Sequence, residues 1–353
     1  MSLLSSNNQL LSNLQCCTCF SGLLHRILPA APISVFGKAL FLFVLFSSNL
    51  FIPTTVNAKD NSILILLSGN DDVYLDVATA ITNSTIKLCR NRNLECQDTN
   101  FEISQVSSLD IPPSGEYRLI VTLGIKAANY AKTNLAEKLV FSALIPQYSN
   151  DLSVALSNDS NQYYLYLDQP HHRSLLLINA LSDRFKNVGV MINKNNEVTA
   201  RQLADSASKL GLTLHLEKIS KSNQIGASLN RLLRNIDILL AVPDTTIHNK
   251  STVSNILIST YRKRIPLIGF SSGYVKAGAL AAVYSSPEDI AYHVRDNIVN
   301  TYSGEGIEEK EQTANYFTLL FNSDVARSLD FPLKSESELT SKMIRSSKDE
   351  DHD

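Results

Sequence analysis

Tryptophan is absent from these 353 residues, and the charged residues nearly cancel, with 32 Lys plus Arg against 34 Asp plus Glu. The balance leaves no basic stripe of the kind that binds nucleic acid. Residues 59–353 hold no apolar run of the roughly 20 residues that a membrane span needs, so no span is expected there. Several chemical signatures are also missing. No G-x-G-x-x-G follows the first apolar run, which excludes the dinucleotide fingerprint. No G-x-x-x-x-G-K-[ST] supplies a P-loop. No H-E-x-x-H or paired C-x-x-C occurs in residues 59–353. His171 and His172 are adjacent, and on an extended segment they would face opposite sides and could not share a metal. The expectation is a binding protein rather than an enzyme, with no metal and no cofactor.

Cysteine is scarce too, and its five copies fall into two groups. Cys16, Cys17 and Cys19 precede residue 34. They lack the small-residue tripeptide of a lipid-attachment site and the ligand spacing of a zinc site. Cys89 and Cys96 are close enough either to form a disulfide in an oxidising compartment or to remain two buried thiols.

Both ends read as distinct from the middle. Residues 35–58, VFGKALFLFVLFSSNLFIPTTVNA, place Lys38 before an apolar run and end in the small-residue pattern Val56-Asn57-Ala58. That is the layout of a secretory signal cleaved near Ala58, with an uncleaved membrane anchor as the alternative. The expected compartment is the periplasm. Residues 1–34 are most simply an over-extended start, so residues 1–58 form a leader. Residues 333–353 carry mixed charge and few apolar positions, and read as a flexible tail.

Between these ends, apolar strands alternate with amphipathic helices. SILILL at 62–67 is continuously apolar, as in strands covered on both faces. Further strands are expected at 101–106, 117–123, 139–145 and 163–167. A second run follows at 187–192, 212–217, 236–242, 266–270, 279–284 and 316–321, with helices between. Strand–helix alternation implies parallel sheets with right-handed crossovers. The fold class is therefore α/β, with two Rossmann-like lobes. The stretch from Arg118, RLIVTLGIKAANYAK…KLVFSALIPQ, also echoes the stretch from Asp237, DILLAVPDTTIHNKS…RIPLIGFSSG.

Ligands of open parallel sheets sit beyond the carboxyl ends of the strands. The candidates are Ser68, Gly69, Asn70, Thr122, Gly124 and Gln147 in the first lobe. In the second they are Asn193, Asp244, Thr245, Ser271 and Tyr274. Small and hydroxyl residues at helix starts leave backbone N–H groups open to an anion, Tyr274 offers an aromatic wall, and Asp244 could meet an amine or hydroxyl. Each could equally be ordinary helix-start chemistry.

Residues 237–290 resemble the ABC transporter substrate-binding protein family that includes tryptophan- and tyrosine-uptake binding components. Pro243-Asp244, the segment RIPLIG at 264–269 and the turn SGYVKAGAL at 272–280 carry the resemblance. Asp168-Gln169-Pro170, NVGVMIN at 187–193 and FNSDVA at 321–326 extend it. It spans roughly residues 62–332, although SGNDDVY after the first strand does not match the family's polar motif. The resemblance implies a type I periplasmic-binding-protein architecture with three hinge crossovers, near Asp168, Gly278 and Glu305. The first lobe would then be 59–168 plus 279–305, and the second 169–278 plus 306–332. It also implies a monomer that closes on a small amino-acid-like or aromatic ligand and delivers it to an ABC permease. The alternative is an envelope sensor or interaction protein whose cleft has degenerated.

Overall fold

Ser62–Leu67 (β1) has every residue from Ile63 to Leu67 buried, and alternate side chains divide between two helical layers. Ile63, Ile65 and Leu67 pack with Val77, Ala78 and Ile81 of Asp72–Arg92 (α1) and with Ile290, Val294 and Ile298 of Pro287–Ser303 (α8). Leu64 and Leu66 face Ala127 and Ala131 of Ile125–Asn134 (α2) on the other side. Each such buried Ile or Leu contributes about 2 kcal/mol. These contacts belong to a computed structural model, which describes residues 61–108, 113, 115–147 and 161–350. The expected leader, residues 1–58, lies outside the described residues.

Two six-stranded sheets organise the chain. The first holds β1 beside Asn100–Gln105 (β2) on one edge and Leu119–Leu123 (β3) on the other side. Val140–Ile145 (β4), Gln162–Tyr166 (β5) and Glu311–Thr313 (β11) follow, all parallel. The second is built from Asn187–Asn193 (β6), Thr213–Ile219 (β7), Ile238–Leu240 (β8), Leu267–Gly269 (β9), Ala281–Tyr284 (β10) and Thr318–Phe321 (β12). Its pairs are parallel except β10 with β12. The strand order is the same in both, reading β2-β1-β3-β4-β5-β11 and β7-β6-β8-β9-β10-β12.

Helices cover both faces of the second sheet. His171–Leu181 (α3), Glu197–Lys209 (α4) and Glu336–Glu350 (α10) lie on one side, around Val188, Val190 and Ile192 of β6. Ile225–Leu232 (α5) and Val253–Arg262 (α6) lie on the other, around Met191. Ser272–Lys276 (α7) and Ser323–Ser328 (α9) are short.

Four expectations need correction. The chain does not leave the second lobe near Gly278. Gly278, at φ +124, turns the chain into β10, which pairs with β9 inside the second sheet. The return crossing comes at Ser285-Ser286, where Ser286 caps α8 in a capping box with Asp289 and Pro287 occupies the first turn. After α8, Gly304 at φ +80 ends the helix, and β11 pairs with β5 in the first sheet. The third crossing is therefore 314–317, not near Glu305. The segment read as a flexible tail contains α10, whose Leu339 and Met343 are buried against α3. Finally, His171 and His172 do not lie on an extended segment but open α3.

Cys89, in the last turn of α1, and Cys96, in a short 3-10 turn after it, are joined by a disulfide, and both are buried. Among the described residues no helix is long and apolar enough to cross a membrane.

Candidate ligand-binding cleft

The three crossings meet, and polar side chains tie them together. Gln169 Nε2 donates to Ser285 Oγ at 2.7 Å and to the Tyr316 carbonyl at 3.3 Å. Ser285 Oγ donates to the Leu167 carbonyl at 3.0 Å. Arg173, in the first turn of α3, donates to Gln169 Oε1 and to the Ala314 carbonyl. One glutamine and one arginine thus touch all three strands of the hinge.

A cavity of about 390 Å³ opens at this junction. The first crossing supplies Leu167, Asp168 and Gln169 to its wall, α3 supplies His171 and Ser174, and the first lobe supplies Val73. The second lobe supplies Ala241, Val242 and Pro243 beyond β8, Phe270, Ser271 and Ser272 beyond β9, and Val283 and Tyr284 of β10. A second hollow of about 650 Å³ shares Val73 and Leu167 with the first and runs over the first lobe. Ser68, Gly69, Asp71, Tyr74, Ile125, Lys126, Asn129, Leu144 and Pro146 line it. Val73 and Leu167 are both exposed there, at 43% and 36%.

The groups in this cleft have distinct charge states. Asp168 Oδ2 accepts from the Gln147 N–H at 2.6 Å, yet burial pushes the carboxyl above its ordinary range. Burial pulls His171 down to about 4, so its ring is neutral near pH 7. The first hollow has no Lys or Arg in its wall. Lys126 lines the second.

The expected site residues divide. Ser68, Gly69 and Ser271 reach the cavity walls. Ser68 Oγ also accepts from the Ala127 N–H at 2.9 Å, so it caps α2. Gly124, at φ +90, lets α2 start close to it, since a Cβ there would stand 2.7 Å from Ser68 Oγ and 2.9 Å from the Tyr74 ring. Thr122 is fully buried and donates to Ser142 Oγ across β3 and β4, so it belongs to the core. Asp244 does not line either hollow. Its carboxylate accepts from the Asn193 N–H at 3.0 Å and the Thr246 N–H at 2.9 Å, which ties the ends of β6 and β8. Asn193 completes that tie through Thr246 Oγ1, and Thr245 is exposed beside it. Asn70 and Gln147 are exposed outside the cavity linings, although the Gln147 backbone holds Asp168.

Tyr274 is not a wall of the cleft. It is 5% exposed and packs behind Phe270, with ring centroids 5.2 Å apart and its hydroxyl 2.7 Å from His248 Nδ1. Gly269 permits this, because a Cβ there would collide with Tyr274 at 2.6 Å. Burial raises the Tyr274 phenol and lowers His248 to about 4. The aromatic wall is instead Phe270. Reading strand ends alone missed it, along with Val73, Leu167, Asp168 and His171. The available signal was Asp168-Gln169-Pro170, an acidic residue two positions ahead of a helix-starting proline.

Residues 167–340 match the family model described as ABC transporter substrate binding protein. Over these residues, just under half of the chain, the sequence is similar to the ABC transporter substrate-binding protein family. That family is one of binding proteins, not enzymes, and the matched segment begins at the first hinge crossing. A tyrosine-binding protein of Clostridioides difficile (strain R20291) is 24% identical over 171 residues. The match takes in 47% of this chain and 48% of that protein, so the chain spans about half the length of this curated relative. The ligand-free, open structure of a substrate binding protein with adhesive properties from Clostridium difficile is similar at a TM-score of 0.60 and 19% identity. The likeness covers 79% of this chain and 97% of that one, and it shows the fold, that of type I periplasmic-binding proteins. A domain from Streptococcus pneumonia in complex with L-Trp is more loosely similar, with a TM-score of 0.49, 16% identity, and coverage of 80% of this chain and 98% of that one.

Proposed function

We propose that this chain is the exported solute-binding component of an ABC transport system, and that its two lobes close on a small amino-acid-like aromatic ligand. The observation that carries the reading is the hinge cavity. Its walls come from both lobes, and they pair apolar surface at Val73, Leu167 and Phe270 with a few polar groups at Asp168, His171 and Ser271. That is the usual make-up of a small-ligand site. Exposed Val73 and Leu167 would lose water on closure, which favours a ligand with an apolar body. The family match and the similarity to a tyrosine-binding protein support the transport role and the ligand class. Export follows from the leader at residues 35–58, cleaved near Ala58, and the partner would be an ABC permease.

A thermal-shift screen of amino acids, nucleosides, peptides and sugars tests the reading. A ligand present at 100 times its Kd stabilises by about 2.7 kcal/mol, a measurable rise in Tm. Aromatic amino acids should give the largest rise. A screen in which no compound moves Tm sinks the reading, and recovery of an envelope protein rather than a permease on co-purification would favour the sensor role. The family match starts only at residue 167, which leaves that second role a specific foothold in the first lobe.

A further inference from the structure

We propose that Asp168 is the ligand's amine anchor, so that the ligand carries a protonated amine donating to this carboxylate while its apolar body lies against Val73, Leu167 and Phe270. The inference rests on the cleft being the binding site proposed above, and it adds a chemical requirement to it.

Position is the first argument. Asp168 lies in the first crossing and lines the cavity between the two lobes. A ligand held there stays in reach of both walls as they close. Its orientation is already fixed, because the Gln147 N–H holds Oδ2 at 2.6 Å. An anchor that is pre-oriented costs little to order on binding.

Charge is the second. The wall of this hollow has one carboxylate and no Lys or Arg. Its histidine, His171, is neutral near pH 7. Arg173 is spent on Gln169 and the Ala314 carbonyl. Among the described residues, no ion pair joins Asp168 to a cation. A half-buried carboxylate with no cation beside it is costly to keep ionised, and a ligand ammonium would supply the missing counter-charge. A ligand with a carboxylate and no amine would instead meet a like charge.

Elimination is the third. Asp244, the other carboxylate near the strand ends of the second lobe, is already occupied by two backbone N–H groups. Asp71 lies in the first-lobe hollow rather than at the junction.

The test measures binding of L-tyrosine, tyramine and 3-(4-hydroxyphenyl)propionate by calorimetry, to the full chain and to Asp168→Asn. These probes share a ring, and only the third lacks an amine. Asparagine keeps an acceptor for the Gln147 N–H, and circular dichroism and Tm check the variant's fold. For the unaltered protein, the propionate should bind on the order of 10–100-fold more weakly than tyrosine, the range expected for a hydrogen bond to a charged group. In Asp168→Asn, tyrosine should fall to within a few-fold of the propionate. Equal affinity of tyrosine and the propionate for the unaltered protein overturns the inference, and this arm needs no variant to fold. So does an equal loss of all three probes in a folded Asp168→Asn. A protein that binds only amine-free compounds overturns the inference and leaves the cleft reading standing. A protein that binds nothing in the wider screen defeats the cleft reading itself.

Discussion

His248 shows how a single residue can link the floor of the cleft to pH. It lies behind Phe270, hydrogen-bonded to Tyr274, and its Nε2 is buried without a partner among the described residues. Charging that ring would bury an unsatisfied donor. Its pKa accordingly sits near 4 in the fold, against an ordinary 6.5. As pH falls below 6.5 the unfolded chain takes up a proton that the folded chain refuses, so stability drops until about pH 4 and then levels off. His171 adds a second contribution of the same sign. His248→Gln should flatten the stability–pH curve between these limits by up to about 1.4 kcal/mol per pH unit. Urea unfolding of both proteins from pH 7 to 4 measures this, and parallel curves would refute it. At this scale the sequence was half legible. Ser271 reads as a helix starter and caps Tyr274 N–H, as its residue type dictates. Which face Tyr274 takes was not legible, because it depends on the missing Cβ of Gly269 on the neighbouring strand.

At the scale of elements, the segments with a clean period were legible and those buried on several sides were not. The buried Val77, Ala78, Ile81 and Thr85 give α1 a helical stripe, and Asn93 in the left-handed region ends it. In α3, by contrast, Ser174 to Ile178 and Ala180 to Leu181 are all buried. The helix lies between the second sheet, α4 and α10, so nothing polar marks an outer face. The helix that covers it was misread for the opposite reason. Among its described side chains α10 has only two deeply buried apolar ones, Leu339 and Met343, four apart in a polar segment. Lys342 adds contacts to the carbonyls of Asn179 and Ala180 at the end of α3. Deleting residues 334–353 should therefore destabilise the protein by about 3 kcal/mol, from the lost burial of Leu339 and Met343. Chemical denaturation of the truncated chain gives the value. An unchanged midpoint would show that α10 is dispensable.

For the whole molecule, the repeated strand order explains the echo between Arg118 and Asp237. The strands concerned, β3-β4 and β8-β9, hold the same third and fourth places in their sheets. The crossings were harder to place from sequence because their strands are short and weakly patterned. β11 is only Glu-Gln-Thr, and nothing in those residues announces a partner as distant as β5. The knot of Gln169, Arg173 and Ser285 was also invisible, since it joins residues more than a hundred positions apart. Gln169→Ala removes the bonds to Ser285 and Tyr316 and leaves Arg173 without its side-chain partner. The variant should show a broader distribution of interlobe distances by small-angle scattering and a several-fold change in ligand affinity, with Tm little altered. Scattering and affinity identical to the unaltered protein would show that the knot does not set the hinge.

The last strand of each sheet is supplied only after the chain has visited the other lobe. No contiguous stretch of the sequence can therefore be expressed as one complete lobe. A chain ending before residue 311 would leave β5 as a bare edge open to other chains. The same holds for residue 167, where the family match begins, because cutting there would strand β11 without the sheet it completes.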